Sequence, residues 1–487
     1  MEERIEDTLA APSTVPPSDV PLVPTPQKPT RSKMTIWLVS LACIVMVFIG
    51  AGVWFFAKVN KSDQPDTAIK TATDTGITLT WAVHWAELVQ QKGIYVDGKL
   101  KTKGVQQYLD EYHALNPNVK VKLQVIPYND YANKLKVLSD ADAPPDIYQT
   151  YSTWAVSYVR EGVLDTPPED IQEDVAKNYI SPAGATINGK IWGIPTETNN
   201  YNLLYNKDIF KAAGIIDTKG EPVYPRTWKE LVTTAIKLTK KDNKGNISQY
   251  GIAFLKGNDW QVVDPFVSLL ISNGGQYLSP DFTSAQFNSP AGVAALEAQL
   301  ELFTKGATDI NGNFFDFGDK KVAMVISPPW TKTQFKQKFG DSFATSVGVA
   351  PLPILMKPAS VQYSWFMGVM AKSPHKKEAW DFLRWLSSDI QPSGTTRYGD
   401  LMAENIGGIP ARTVDFTSHT DILGDSFTKM YVDQMKHSIP EPNVLQANMI
   451  KASLMKQIEA AWSGQKTAKA ALDAAATEVN GILSQYY

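Results

Sequence analysis

An α/β fold with alternating strands and helices, preceded by one membrane-spanning helix, is predicted by three features of this 487-residue sequence. Residues 34–57 form an uncharged apolar run, and alternating and helical hydrophobic patterns follow one another from residue 77. The composition, with 43% hydrophobic and 20% charged residues, is that of a globular protein. The length suggests two to three domains.

The amino-terminal region predicts a tail, an anchor and a tether. Residues 1–33 contain seven prolines and no aliphatic periodicity, which indicates a disordered tail. Residues 34–57 are 24 residues without a charge, roughly 36 Å as a helix, which is enough to cross a hydrocarbon core of about 30 Å. Trp37 and Trp54 lie near its two ends, where indole rings favour lipid headgroups. Residues 58–76 are then a flexible linker with a reach of roughly 25 Å.

Two other interpretations of residues 34–57 stay open. A cleaved signal peptide would require a shorter apolar core and a small-residue cleavage site, but bulky residues continue to Phe56. A lipoprotein would use Cys43, although Ser40 stands where a lipobox usually has leucine. Lysine and arginine are about equally frequent just before and just after residues 34–57, so charge does not fix the orientation of this segment. The large size of the carboxyl-terminal part favours its export. We expect a single-pass protein of the cell membrane whose carboxyl-terminal domain is extracellular or periplasmic.

The globular part begins with strand, helix and strand. Residues 77–83 alternate between apolar and polar side chains, residues 108–115 repeat at helical spacing, and residues 119–125 alternate again. A second helix near 131–138 precedes a strand that starts at Ile147 and ends near Trp154. Such alternation predicts an open sheet whose ligands bind beyond the carboxyl ends of the strands.

Several function classes are disfavoured. The net charge of −3 provides no basic field for nucleic acid, and the five histidines have no metal-binding spacing. No nucleophile elbow, dinucleotide fingerprint or spaced carboxylate pair occurs. Residues 184–190 imitate a phosphate loop, but Ile191 stands where serine or threonine is required, and residues 187–191 instead predict an Asn-Gly hairpin. We expect no metal, no cofactor and no catalysis.

A series of short segments, in order along the chain, resembles family 1 extracellular solute-binding proteins of ABC importers, a group that includes maltose-binding protein. The matching segments are Asn188-Gly189-Lys190-Ile191-Trp192-Gly193-Ile194-Pro195, Leu204-Tyr205-Asn206-Lys207-Asp208, Pro225-Arg226-Thr227-Trp228, Lys321-Val322-Ala323-Met324 and the late helix from Ala379 to Leu386. Each is weak alone, but their common order extends over roughly residues 77 to 485.

The resemblance implies a two-lobe periplasmic-binding-protein-like fold whose lobes are joined by three hinge crossings. These crossings fall near residues 196–200, 363–366 and 407–411. The implied first lobe comprises 77–195 and 366–408, and the implied second lobe comprises 197–362 and 410–487.

The resemblance also implies capture of a small molecule by closure of the two lobes, followed by delivery to the permease subunits of an ABC importer. Aromatic rings and polar side chains suit a mono- or oligosaccharide. The implied ligand-binding residues are Trp85, Glu87, Ser152, Thr153, Trp154, Asn199, Asp259, Trp260, Trp330, Trp365 and Arg412. We assign six other tryptophans to packing, namely Trp81, Trp192, Trp228, Trp380, Trp385 and Trp462. Lys451 or a neighbouring residue stands where the maltose-binding pattern has a late aromatic residue, which puts maltodextrin itself in doubt.

Other functions stay open. The same fold would also suit a non-sugar solute, such as a polyol phosphate or a peptide, or a ligand sensor with a signalling partner. A basic pocket would favour the phosphate. An extracellular carbohydrate-active enzyme would require a carboxylate pair that the sequence does not supply.

Overall fold

Two β-sheets with helices around them organise the globular part of this computed structural model. The structure describes residues 76–85, 93–96, 99–180, 182–406 and 408–485. The predicted tail, the anchor at 34–57 and nearly all of the linker lie outside these residues. Within the described ranges, no helix combines the length and the apolar character needed to cross a bilayer.

Fifteen strands are present in the described part of the chain. Their bounds are β1 Ile77–Val83, β2 Ile94–Val96, β3 Lys99–Thr102, β4 Val119–Val125, β5 Ile147–Tyr151, β6 Thr186–Ile187, β7 Lys190–Ile191, β8 Ile194–Asn200, β9 Asn202–Asn206, β10 Lys240–Lys241, β11 Ile247–Gln249, β12 Met324–Ser327, β13 Val347–Ala350, β14 Ser360–Val369 and β15 Ser438–Pro440.

The α-helices of the described residues follow the same numbering by chain order. Their bounds are α1 Val105–Leu115, α2 Tyr128–Asp140, α3 Ala155–Arg160, α4 Glu169–Asn178, α5 Lys207–Ala212, α6 Trp228–Leu238, α7 Asp259–Ser272, α8 Pro290–Thr304, α9 Thr331–Phe339, α10 Phe343–Ser346, α11 Lys376–Ser387, α12 Arg397–Asp400, α13 Thr413–Ser418, α14 Thr420–Leu423, α15 Ser426–Gln434, α16 Ala447–Trp462 and α17 Ala468–Leu483.

The first sheet has six strands and confirms the predicted start of the fold. Strand β1 pairs in parallel with β4 along its whole length, from Ile77 opposite Val119 to Val83 opposite Val125, and β5 also runs parallel to β1. The long strand β14 then adds antiparallel to both β5 and β8. Since β1, β4 and β5 are parallel, their carboxyl ends lie at one edge, where the predicted tryptophans follow.

The second sheet has three strands in the order β12-β9-β13, all antiparallel. Its central strand β9 continues directly from β8 of the first sheet, with only Tyr201 between them. One extended backbone run from 194 to 206 therefore belongs to both sheets.

Each sheet has its own hydrophobic core. One core surrounds β1 and β4 and includes Trp81 and Trp380, whereas another surrounds β9 and includes Trp228 and Trp462. These four tryptophans are at most 5% exposed, as their assignment to packing predicts. Burial of their large apolar surfaces stabilises both sheets, and the core around β9 also includes Tyr151, Tyr363 and Trp365 of the first sheet.

Local sequence signals explain individual elements. Helix α6 begins after Thr227, whose hydroxyl accepts the backbone N–H of Glu230 while the Glu230 side chain accepts that of Thr227. The hairpin between β6 and β7 turns at Asn188 and Gly189, with φ of 52° and 74°, which confirms the predicted Asn-Gly turn.

Candidate functional site

Aromatic side chains gather where β1 and β5 end. Trp85 follows β1, Trp154 follows β5, and Trp365 lies on the adjacent strand β14. The ring centre of Trp365 is 5.3 Å from that of Trp154 and 6.3 Å from that of Trp85. Trp85 and Trp154 are half-buried, whereas Trp365 is only 4% exposed. The structure thus brings these three predicted site residues together.

Two residues of this group were not singled out from the sequence. His84 stacks on Trp365 with ring centres 3.8 Å apart, and burial lowers its pKa to about 3, so the imidazole is neutral. Tyr128, at the start of α2, lies 5.7 Å from Trp154 and 6.1 Å from Trp365 between ring centres. Together with the three tryptophans, His84 and Tyr128 form what we call the first aromatic group.

A second aromatic pair lies beside the second sheet. Trp260 is in the first turn of α7 and Trp330 directly precedes α9, and their ring centres are 5.1 Å apart in an edge-to-face arrangement. The Trp330 indole N–H donates to the Tyr363 hydroxyl at 2.9 Å. Both indole rings are half-buried. The carboxyl-terminal ends of strands and the amino-terminal ends of helices position both aromatic groups.

Tyr363 and Tyr151 connect the two aromatic groups. The ring of Tyr363 lies 5.8 Å from that of Tyr151, which in turn lies 5.6 Å from Trp154 and 5.3 Å from Trp365. A continuous line of aromatic contacts therefore extends from Trp330 to Trp154. Neither tyrosine was predicted, because tyrosine alternation within a strand gives no sign of which face meets a ligand.

The side chain of Lys451 is the centre of a buried ion network next to these rings. Its ammonium nitrogen lies 2.7 Å from Asp264 Oδ1, 2.8 Å from Glu441 Oε1 and 3.8 Å from Asp259 Oδ2. Burial alone would lower the pKa of Lys451, but the three carboxylates hold it well above its usual value. The amine is therefore charged and fully occupied with carboxylates.

Two tyrosines tie this network to the aromatic line. The Tyr201 hydroxyl donates to Asp264 Oδ2 at 2.7 Å, and the Tyr151 hydroxyl donates to Glu441 Oε2. Burial, and then the charge of Asp259, raises the pKa of Tyr128. Tyr128 of the first aromatic group thus lies close to the predicted site residue Asp259.

The crossing strand β8 presents an amide without partners to the same region. Asn199 is paired with Tyr363 across the β8–β14 ladder, so both side chains are on one face of the sheet. Asn199 is completely buried, yet neither its Nδ2 nor its Oδ1 has a hydrogen-bond partner among the described residues. A buried unpaired polar group costs about 1–3 kcal/mol, which a polar ligand group would relieve.

Serine and threonine after β5 complete the polar part of the site. Ser152 and Thr153 are both buried, and the Ser152 backbone N–H donates to the Ser364 carbonyl at 3.0 Å. The hydroxyl of Thr153 has no partner among the residues that the structure describes. Both residues directly precede Trp154.

One predicted site residue, Arg412, is not part of this assembly. Arg412 forms a two-pronged ion pair with Asp174 of α4, at 2.6 and 2.9 Å, and its guanidinium lies 5.2 Å from the centre of the Tyr179 ring. Arg412 is therefore held against α4 and lies next to the third predicted crossing segment. Glu87 lies outside the described residues. Within those residues, no group of histidine, cysteine or carboxylate side chains is arranged to hold a metal.

Comparisons with known proteins agree with this architecture. The family model described as bacterial extracellular solute-binding protein matches residues 98–391, more than half of the chain. A maltooligosaccharide ABC transporter solute-binding lipoprotein of Streptococcus pneumoniae is 24% identical over 427 residues, covering 82% of this chain and 90% of its own length. A protein of Brucella abortus named as a binding protein is 25% identical over 292 residues, and the chain spans about two thirds (66%) of its length.

Solved structures share the fold. The GacH receptor of Streptomyces glaucescens superposes with a TM-score of 0.70 at 20% identity, covering 85% of this chain and 100% of the receptor. The maltose/maltodextrin-binding domain of Bdellovibrio bacteriovorus, bound to maltotriose, gives a TM-score of 0.68 at 18% identity, covering 84% of this chain and 100% of that domain. These likenesses show the two-lobe α/β fold, and the family match shows that the chain belongs to the bacterial extracellular solute-binding proteins.

Proposed function

We propose that this protein captures a carbohydrate between its two lobes by hinge closure and delivers it to the permease subunits of an ABC importer. The lobes follow the predicted boundaries, with 77–195 and 366–408 in the first and 197–362 and 410–487 in the second. The family consists of binding proteins rather than enzymes. Relatives named for maltooligosaccharide and maltotriose support a sugar ligand.

The observation that carries the proposal is the line of aromatic rings from Trp330 to Trp154. It joins residues assigned to opposite lobes, and its outer indoles Trp260, Trp330, Trp154 and Trp85 are half-buried. Indole faces pack on the C–H faces of sugars while buried polar groups satisfy the hydroxyls. Asn199, Thr153 and Asp259 offer such groups beside the rings.

Charge argues against an anionic solute such as a polyol phosphate. Lys451, the cation that lies next to the aromatic line, is already surrounded by three carboxylates. Arg412 is paired with Asp174. A phosphate would meet the partly exposed carboxylate of Asp259 instead of a free cation, and like charges at short distance are unfavourable.

Calorimetric titration with maltotriose, glucose and glucose 6-phosphate tests the proposal, with Trp330→Ala as the site variant. We expect a sugar to bind and Trp330→Ala to weaken it about tenfold or more, because the ring loses its packing surface. Trp192→Ala is the matched control, since Trp192 is half-buried but outside the aromatic groups. Binding of the phosphate alone, or equal affinity in Trp330→Ala, would contradict the proposal.

We further propose that residues 34–57 are retained as a membrane anchor, with the binding domain outside the cell. The uncharged length of the run and its flanking tryptophans support this. The intact mass of the protein extracted from native membranes tests it. A mature start after residue 50 would mean that the segment is removed.

A further inference from the structure

The three predicted crossing segments meet at one buried carboxyl group, that of Glu197. Glu197 belongs to β8 and is the ladder partner of Trp365 on β14. It also forms an isolated bridge with Pro410 of the third crossing segment. A Cβ atom placed on Gly408 would lie 2.6 Å from Met402 Cε and 3.2 Å from Glu197 Oε2, so this glycine packs closely against both side chains. Glu197 itself is 2% exposed.

Among the residues that the structure describes, none places a compensating charge beside this carboxyl. Its Oε2 atom has no hydrogen-bond partner among the described residues, and the neighbouring Asn199 amide is the polar group nearest in sequence on the same face. The ionisable groups that face it are the phenols of Tyr363 on β14 and Tyr398 on α12, whose pKa values are raised by burial and then by Glu197. Arg412, two residues after Pro410, is committed to Asp174.

An ionised carboxylate in such a place is costly, because burial removes its hydration and nothing replaces it. Burial accordingly raises the pKa of Glu197 to about 8. The packing described here therefore suits the protonated side chain. Ionisation would favour any rearrangement that separates the crossing segments and admits water.

We propose that Glu197 is a proton-linked positioning residue of the hinge, so that its protonation favours closure of the lobes and its ionisation favours their opening. In the structure, Tyr128 of the predicted first lobe is half-buried and packs against the hydrophobic core around β9, so the two predicted lobes are in contact, and we take this arrangement as the closed one. This inference rests on the hinge motion of the proposed function, but it does not require that the ligand be a sugar.

The sign follows from linkage. In the closed state the Glu197 carboxyl stays protonated up to about pH 8. In the open state its pKa is nearer the usual 4.5, so the same carboxyl loses its proton at lower pH. Between these two values, closure and ligand binding take up close to one proton, and the affinity falls by up to tenfold for each unit of pH. Above about pH 8 the dependence levels off, since both states are then ionised.

The test uses the ligand-free protein, so that its outcome does not depend on the ligand. Small-angle scattering and acrylamide quenching of tryptophan are recorded from about pH 5 to about pH 9 for the wild type, Glu197→Gln and the control Glu301→Gln. Glu301 is exposed on α8 and far from the crossing segments in sequence. We expect the wild type and the control to expand and become more quenchable as the pH rises, and Glu197→Gln to stay compact throughout.

A flat profile in the wild type, or the same profile in Glu197→Gln, overturns the proposal. If Glu197→Gln does not fold, Glu197→Met removes the same charge and replaces it in the comparison. Calorimetry with maltotriose in two buffers of different ionisation enthalpy then measures proton uptake on binding. If neither maltotriose nor glucose binds, the sugar proposal is contradicted while scattering still decides the role of Glu197.

Discussion

Asp264 and Glu197 are both buried carboxylates, but their surroundings are opposite. Asp264 accepts from Tyr201 and lies 2.7 Å from the ammonium of Lys451. Glu197 has no cation partner in the described chain and one oxygen without a hydrogen bond. Burial raises the pKa of both groups, to about 7 for Asp264 and to about 8 for Glu197, but among the described residues only Asp264 has a cation beside it to oppose the shift. We expect the first arrangement to suit a fixed wall of the proposed binding site and the second to suit the proposed hinge.

The largest effect is expected for Asp264, the buried carboxylate that is paired with Lys451. Lys451→Met leaves Asp264 and Glu441 buried without a cation, and we expect the free energy of unfolding to fall by about 3–5 kcal/mol in denaturant titrations. Lys429→Met is the control, because Lys429 is 65% exposed in its pair with Asp433. If both variants lost the same small amount, the network would not be the stable wall that we describe.

The pH dependence of the free energy of unfolding tests Glu197, the buried carboxylate that has no cation partner among the described residues. The folded-state pKa of Glu197 lies above its unfolded value, so the folded state binds more protons between 4.5 and 8 and wild-type stability falls as pH rises through that window. We expect Glu197→Gln to lack this slope and to be more stable than wild type by about 1–3 kcal/mol at pH 7. Parallel stability curves for the two proteins would remove the distinction between Glu197 and Asp264.

His419 is a third buried ionisable group, and it extends the comparison to a side chain that is charged when protonated. His419 contacts Asp400 Oδ1 at 2.9 Å, and although burial alone would lower its pKa, Asp400 raises it to about 9. A raised histidine pKa contributes stability that is complete below 6.5 and is lost as the pH rises through 9. His419→Gln should therefore cost about 1–2 kcal/mol at pH 6 and less at high pH. A cost independent of pH would indicate packing instead of charge.

The smallest effect is expected at the surface. Lys377 and Asp381 form an exposed i,i+4 pair on α11 at 2.6 Å. We expect Lys377→Ala to change the free energy of unfolding by less than about 0.5 kcal/mol. A loss as large as that of Lys451→Met would mean that burial does not control the strength of ion pairs in this protein.

Local patterns in the sequence were sufficient for much of the fold. The alternation in residues 77–83 and 119–125 predicted strands with the bounds that the structure shows, and Asn188-Gly189 predicted a turn with two positive φ angles. Both signals depend only on neighbouring residues. The mixed character of the first sheet was not predicted, because the antiparallel pairing of β14 joins residues more than 150 positions apart.

The candidate site was predictable in part for the same reason. Tryptophans after strand ends were visible as a pattern, and the structure brings Trp85, Trp154 and Trp365 together. The partners of Lys451 were not visible, since Asp264 and Glu441 belong to different elements and no spacing relates them. Glu197 resembles any polar strand residue until its pairing with Trp365 and Pro410, which are distant in sequence, is known.

The run from 194 to 206 serves two sheets with a single residue, Tyr201, between them. Because side chains alternate along a strand, one inserted residue at this junction would force either β8 or β9 to turn its inward face outward. The number of residues between β8 and β9 is thus as strictly limited as the volume of a core side chain. We expect chain length to be inherited unchanged at this point even where the surrounding residues are free to vary.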